Sequence, residues 1–329
     1  MNAKVLVVGG AGYIGSHCVK ELHGRGYDVV TLDNLSRGHA HAVKWGAFEN
    51  GDLADRARLR EVFARHDFAA VMHFAAYAYV GESVTDPEIY YQNNTANALN
   101  LLSVMREAKV NRFIFSSTCA TYGEPQEVPI PETHPQNPIN PYGRSKLMVE
   151  QILGDFAVAY DFACTSFRYF NAAGADPDGE LGEAHEPETH LIPLVLAAAL
   201  GGPALKLFGA DYPTSDGTCV RDYIHVTDLC TAHILGLERL LAGQPGAVYN
   251  LGNGEGYSNL QVIRTAEAVS GRKVPYTEAP RRPGDPATLV GSAARAASEL
   301  GWQPRYAKLE QILDTAWRWH SQPSLAHQR

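Results

Sequence analysis

Val5-Leu6-Val7-Val8-Gly9-Gly10-Ala11-Gly12-Tyr13-Ile14-Gly15 reads as a buried strand that runs into a glycine turn and then a helix. Glycines at 9, 12 and 15 give the spacing G-x-x-G-x-x-G, a variant of the dinucleotide fingerprint. Glycine suits these positions because the backbone must turn sharply and lie close to a pyrophosphate, where a side chain would intrude. The helix that follows points its free N–H groups and its positive dipole end at the phosphates. A second apolar stretch over 28–33 closes with Asp33, 18 residues after Gly15. A carboxylate there accepts both ribose hydroxyls of NAD and repels the 2′-phosphate of NADP. The reading is an NAD site built on Gly9, Gly12, Gly15 and Asp33, with NADP left open by the nearby Arg37.

From the glycine turn outward, short apolar runs alternate with helical stretches. The runs fall at 4–8, 28–33, 47–50, 69–75, 112–116 and 164–170, and the helices near 13–25, 55–65, 88–109 and 142–160. Such alternation predicts an α/β fold, a doubly wound Rossmann-type parallel sheet with helices on both faces. Its ligand crevice lies at the carboxyl ends of the strands, where Gly9, Asp33, Asp52, Ala75 and Ser116 fall. After residue 170 the pattern loosens into a smaller, mixed α/β lobe. Residues 173–187 read as a long loop rich in Gly, Pro and acids, 281–286 as a second rigid polar loop, and 307–320 as a terminal helix. The expected division is 1–170 for the NAD-binding domain, with 222–252 returning to it, and 171–329 mainly for the substrate lobe.

A chain of 329 residues with 45% hydrophobic and 19% charged residues has the composition of a globular protein. A net charge of −8 argues against nucleic-acid binding as the main task. No charged-then-apolar leader precedes the first strand, and the longest apolar run is about half a membrane span. The five cysteines lack any C-x-x-C pair, so free thiols in a reducing cytoplasm are expected. No H-E-x-x-H or G-x-S-x-G is present; no metal site is expected, and His39, His41, His185 and His190 read as loop and surface residues.

Asn140-Pro141-Tyr142-Gly143-Arg144-Ser145-Lys146 opens a helix, with Asn140 as cap and Pro141 in the first position. Tyr142 and Lys146 are then neighbours on one face. An ammonium and a positive helix end should lower the phenol toward neutrality and make Tyr142 a general base. Phe115-Ser116-Ser117-Thr118 carries three hydroxyls to a strand end, one of which would hold the reacting oxygen.

Taken together, GGAGYIGSH, HFAAYAYVGES, FIFSSTCATYGE, PYGRSKLMVE, RYFNAAGA, GTCVRDYIHVTDL and APRRPGD resemble the UDP-glucose 4-epimerase family of extended short-chain dehydrogenases/reductases. The resemblance spans about residues 3–320 and includes the second half of the chain. It implies reversible inversion at the sugar 4-carbon of UDP-glucose and UDP-galactose, with NAD regenerated, in a homodimer joined through the helices near 88–109 and 142–160. Tyr142 would be the base, Lys146 its partner on the nicotinamide ribose, and Thr118 the hydroxyl assisting at the sugar. Further NAD contacts would come from Tyr13, Ile14, Asp33, Asn34, Leu35, Ser36, Arg37, Gly38, Asp52, Leu53, Phe74, Ala75, Ala76, Asn93 and Phe170. The nucleotide-sugar side would use Asn171, Leu191, Phe208, Arg221, Arg282, Asp285 and Leu289. Two departures stand out. Ala78 lies where some members carry a lysine on the cofactor, and Leu289 where a tyrosine accompanies plain hexoses and a small residue N-acetylated ones. Leucine is intermediate, which implies weak activity on UDP-N-acetylhexosamines. A 4,6-dehydratase would need an acid pair after Thr118, where this chain has Cys119 and Ala120. An NAD-sensing module without catalysis would have no use for Tyr142 and Lys146 together.

Overall fold

The computed structural model describes residues 3–282 and 285–322; Pro283 and Gly284 of the expected polar loop and the two chain ends lie outside the described residues. Seven strands form the large sheet: β1 (Lys4–Val8), β2 (Asp28–Asp33), β3 (Ala47–Asn50), β4 (Ala70–His73), β5 (Arg112–Thr118), β6 (Ala163–Tyr169) and, later in the chain, β11 (Val248–Leu251). Between β6 and β11 come β7 (Asn171–Ala173), β8 (Leu205–Phe208), β9 (Val220–Arg221) and β10 (Tyr223–His225); β12 (Tyr257–Ser258), β13 (Tyr276–Ala279) and β14 (Thr288–Leu289) follow. The helices are α1 (Tyr13–Gly24), α2 (Arg56–Arg65), α3 (Val80–Thr85), α4 (Pro87–Tyr90), α5 (Asn97–Glu107), α6 (Pro141–Tyr160), α7 (Leu191–Ala199), α8 (Val226–Leu241), α9 (Asn259–Ser270), α10 (Ala294–Leu300) and α11 (Leu309–His320).

The large sheet runs β11-β6-β5-β4-β1-β2-β3, every pair parallel. The order reverses on either side of β1, which opens a crevice between the carboxyl ends of β1 and β4. In β1 the residues alternate between two cores. Val5 and Val7 join Cys18, Val19 and Leu22 of α1 and Leu229, Ile234 and Leu237 of α8. Leu6 and Val8 join Leu59 and Val62 of α2, Leu101 and Leu102 of α5, and Val149 of α6. Each of these fully buried aliphatic side chains contributes about 1.5–3 kcal/mol. This double burial explains why β1 reads as an unbroken apolar run. The stretch after residue 222 returns to the sheet, with α8 covering one face and β11 adding an edge strand.

A third core joins Val195 and Leu196 of α7, Leu205 and Leu207 of β8, Val262 and Ile263 of α9, and Ile312 and Leu313 of α11. Its strands are short and pair across distant parts of the chain: β13 lies parallel to β8, and β9 sits between antiparallel β12 and parallel β14. The stretch expected as one helix over 88–109 is instead α4, a six-residue π-helical turn (Tyr91–Ala96) and α5. Among the described residues, no helix is long and apolar enough to cross a membrane.

Candidate active site

The glycine turn is shaped by close backbone packing. Gly9 has φ +80° and donates its N–H to Leu32 O at 2.8 Å. A Cβ on Gly9 would stand 2.4 Å from Ala75 N, and one on Gly15 would stand 2.1 Å from Gly9 O. At Gly12 the nearest atom to such a Cβ is Gly9 O at 3.4 Å, so the turn leaves space above it. Gly12 caps α1 without a side-chain hydrogen bond, which leaves the first-turn N–H groups to face that space. An open cradle under unpaired donors fits a dinucleotide pyrophosphate.

Asp33 braces the cradle: its carboxylate accepts from Ala11 N at 3.0 Å and Leu35 N at 2.8 Å. Leu35 is left-handed at φ +60°. Asn34 donates to Asp52 at 2.7 Å and accepts from Ser36 N at 2.9 Å, and the bare Gly38 lies against Ala11. Phe74 and Ala75 donate their N–H groups to Val8 O at 2.8 and 3.1 Å, which sets the 74–76 backbone at the end of β1. Tyr13 reaches the other lobe, its hydroxyl donating to Gly174 O at 2.6 Å. Three of the residues expected to contact NAD have side chains packed within the protein. Leu53 and Ile14 pack into the hydrophobic cores, and Phe170 packs with Tyr122, Ile130 and Leu289.

The three hydroxyls after Phe115 have separate tasks. Ser116 Oγ pairs with the Tyr169 hydroxyl, Ser117 Oγ donates to Glu150, and the Thr118 hydroxyl accepts from Ala120 N at 3.1 Å. Asn140 caps α6 by accepting from Gly143 N at 2.9 Å, so Tyr142 emerges in the first turn beside the end of β5. One turn on, Lys146 is buried, with Nζ donating to Ser116 O at 2.8 Å. The expected lowering of the phenol is not what the ligand-free site has. Burial pushes Tyr142 up to about 12, with only the Thr118 hydroxyl opposing it in part. Burial also pulls Lys146 down to about 7, against the pull of Glu150. Lys146 directs its ammonium to a carbonyl rather than to the phenol.

Asn94, unlike Asn93, drew no functional reading from the sequence, yet it organises this region. Its side chain bonds Tyr77 N at 2.8 Å and Tyr77 O at 2.9 Å, and donates to Ser145 Oγ at 3.1 Å. Asn93 only donates to Asn94, at 3.0 Å. The π-helical turn places both, and nothing in the local pattern marks such a turn. Around Ala78, Arg37 lies 5.0 Å from the Tyr77 ring and 5.3 Å from the Tyr79 ring, and pairs with Glu82 at 2.9 Å.

On the opposite wall, Arg221 pairs with Asp285, and β14 sets Leu289 directly across from Arg221. Arg282 stacks at 4.4 Å over the Phe208 ring at the end of β8. Asn171 holds Asp222 O at 2.9 Å, and half-buried Leu191 opens α7. His185 and His190, expected at the surface, are half-buried and ion-paired with Glu183 and Glu188.

Residues 5–252 match the NAD dependent epimerase/dehydratase family. The chain belongs to that family. Other members resemble it over almost the whole chain. The UDP-glucose 4-epimerase of Rhizobium leguminosarum bv. trifolii is 53% identical over 96% of this chain and 97% of its own. The Brucella ovis UDP-glucose 4-epimerase, solved in complex with NAD, superposes with a TM-score of 0.94 at 52% identity, covering 96% and 97% of the two chains. The Campylobacter jejuni UDP-Glc/GlcNAc 4-epimerase gives 0.86 at 43% identity, with 97% and 99% covered. These relatives thus match the chain across both lobes.

Proposed function

We propose that this chain is an NAD-dependent UDP-glucose 4-epimerase that interconverts UDP-glucose and UDP-galactose through a transient 4-keto sugar. The observation that carries this reading is the placement of Tyr142 in the first turn of α6 at the end of β5, set there by the Asn140 cap, one helical turn from buried Lys146, whose Nζ reaches Ser116 O at 2.8 Å. The NAD-binding part is 1–170 with 222–252, and the remainder mainly binds nucleotide-sugar. Gly9, Gly12, Gly15 and Asp33 would hold NAD, which would supply a reversible hydride acceptor for the sugar 4-carbon.

Tyr142 takes the proton from the sugar 4-hydroxyl while Thr118 holds that oxygen, and gives a proton back after the keto sugar has turned over. Burial holds the phenol up at about 12 and pulls the Lys146 amine down to about 7, so the charged form of each is disfavoured. Ribose hydroxyls on Lys146 would restore its solvation and its charge, and that charge draws the phenol down toward a working base. Arg221 and Arg282 anchor the diphosphate with charge-assisted hydrogen bonds while the sugar turns. Arg37 supplies the cation that some members carry at the position of Ala78. Held by Glu82 and two tyrosines, it is not free to receive a 2′-phosphate, which favours NAD.

Leu289 borders the sugar, and its intermediate size gives strong glucose/galactose turnover with weak turnover of N-acetylhexosamines. Comparable kcat/KM for both sugar classes, or for neither, contradicts this. The protein works in the cytoplasm as a homodimer. Leu99 on α5 and Met148 and Val158 on α6 are exposed and support that assembly. Anaerobic incubation with UDP-galactose and no added nucleotide tests the main reading. UDP-glucose should form without net NADH; NADH accumulating with an oxidised sugar would make the chain a dehydrogenase instead.

A further inference from the structure

The loop between β7 and α7 carries two groups of carboxylates that are neutralised in different ways. Asp176, Asp178 and Glu180 each stand 2.7 Å from the ammonium of Lys20. Glu183 and Glu188 have no lysine or arginine partner among the described residues; their ion pairs are with His185 and His190, and Glu188 also accepts from Thr189 N at 2.7 Å and His190 N at 2.8 Å. Glu183 is 4% exposed, so water does not answer its charge. Two carboxylates in such a place require positive charge from protons or from a cation.

The geometry favours a cation. One atom from each residue lies within 4.8 Å of the other three. The ring nitrogens stand 3.0 and 2.6 Å from Glu183, and 3.8 and 3.3 Å from Glu188. A tetrahedral zinc ion with bonds of about 2.0–2.2 Å sets its ligand atoms about 3.3–3.6 Å apart. His190 Nδ1 is shut off from solvent and, despite its nearness to both carboxylates, is aligned for a hydrogen bond with neither. An ion between the four donors would take the nitrogen lone pair in place of a proton. Two imidazoles and two carboxylates suit zinc better than magnesium or calcium.

We propose that Glu183, His185, Glu188 and His190 form a divalent-cation site, with zinc as the preferred ion. The ion would be structural. The His185 ring lies 6.2 Å from that of Tyr13 and 6.1 Å from that of Tyr79, and His190 directly precedes Leu191 and α7. Trp319 Nε1 holds Glu183 O at 3.1 Å, and His39 Nε2 lies 2.6 Å from Ala184 O. An ion at this point ties the cofactor cradle to the first helix of the sugar lobe, and its loss should quicken cofactor release.

The test uses untagged, cofactor-loaded protein stripped with a chelator, then titrated with Zn2+ by calorimetry with elemental analysis, and separately with Co2+. The expected result is one ion per chain, a rise in Tm, and intense visible cobalt bands of a four-coordinate site. Glu183→Gln and His190→Asn should each abolish the bands while the far-ultraviolet dichroism is retained. If either variant fails to fold, the cobalt spectrum of the unaltered protein decides by itself. Absence of stoichiometric uptake would mean that protons alone neutralise the cluster, and full cobalt binding in both folded variants would place the ion elsewhere; either overturns the proposal.

Discussion

The two walls of the crevice are held by different kinds of contact. On the proposed cofactor wall, backbone meets backbone where Gly9 lies against Ala75 and Gly15 against Gly9, and the Asp33 carboxylate is fixed by two backbone amides. On the sugar wall, side chain meets side chain: Arg221 pairs with Asp285, and Arg282 stacks on Phe208. Backbone contacts leave almost no freedom, so one shape of ligand is accepted. An ion pair and a cation–ring stack can open and re-form, which suits a wall proposed to hold a diphosphate while a sugar turns beside it. A rigid wall for the hydride and an adaptable wall for the sugar is what inversion at one carbon requires.

The largest effect should come where the walls meet. Tyr142→Phe removes the proposed proton acceptor and should lower kcat/KM by about 10²–10⁴-fold. Retained NAD content and an unchanged Tm would assign that loss to chemistry rather than to the cradle. Arg221→Ala tests the sugar wall. Losing a charge-assisted hydrogen bond of about 1.5–3 kcal/mol should weaken UDP binding about 10–150-fold by calorimetry, with little change in NAD content. Gly15→Ala tests the cofactor wall, because its Cβ would meet Gly9 O at 2.1 Å. It should cost about 1–3 kcal/mol in urea unfolding and release NAD during purification. If Gly15→Ala kept its cofactor and Arg221→Ala lost it, the contrast between the walls would fail.

The smallest effect is a slope. Lys146 is lowered from 10.5 to about 7 in the NAD-free fold, so between those values the unfolded chain binds the extra proton. Stability therefore rises with pH across that window, by at most about 1.4 kcal/mol per pH unit. Lys146→Met should lack that component when NAD-free protein is unfolded in urea at a series of pH values. Equal slopes in both proteins would mean that Lys146 keeps its charge when buried.

Much of the cofactor wall was legible because its signals are local. The run Val5–Val8 is apolar throughout because alternate residues serve two cores, and Gly9, Gly12 and Gly15 follow it at once. Tyr142 and Lys146 were readable for the same reason, since a cap, a proline and a spacing of four lie within seven residues. Their protonation was not, because burial depends on what packs around α6. The sugar wall is nearly silent in the pattern. Strands β9, β12 and β14 have two residues each, and Arg221 meets Asp285 across 64 positions. Only the resemblance to a family pointed to that pair. Asn94 and the Glu183–His190 cluster escaped for a further reason: a π-helical turn and an ion-paired loop leave no periodicity to detect.

The central claim is that the hydrogen on the sugar 4-carbon leaves and returns within one closed site. Incubating the enzyme in ordinary water with UDP-galactose deuterated at that carbon, and reading the product by nuclear magnetic resonance, tests it directly. The account predicts UDP-glucose with the deuterium retained at the 4-carbon. Product that carries solvent hydrogen there would contradict it.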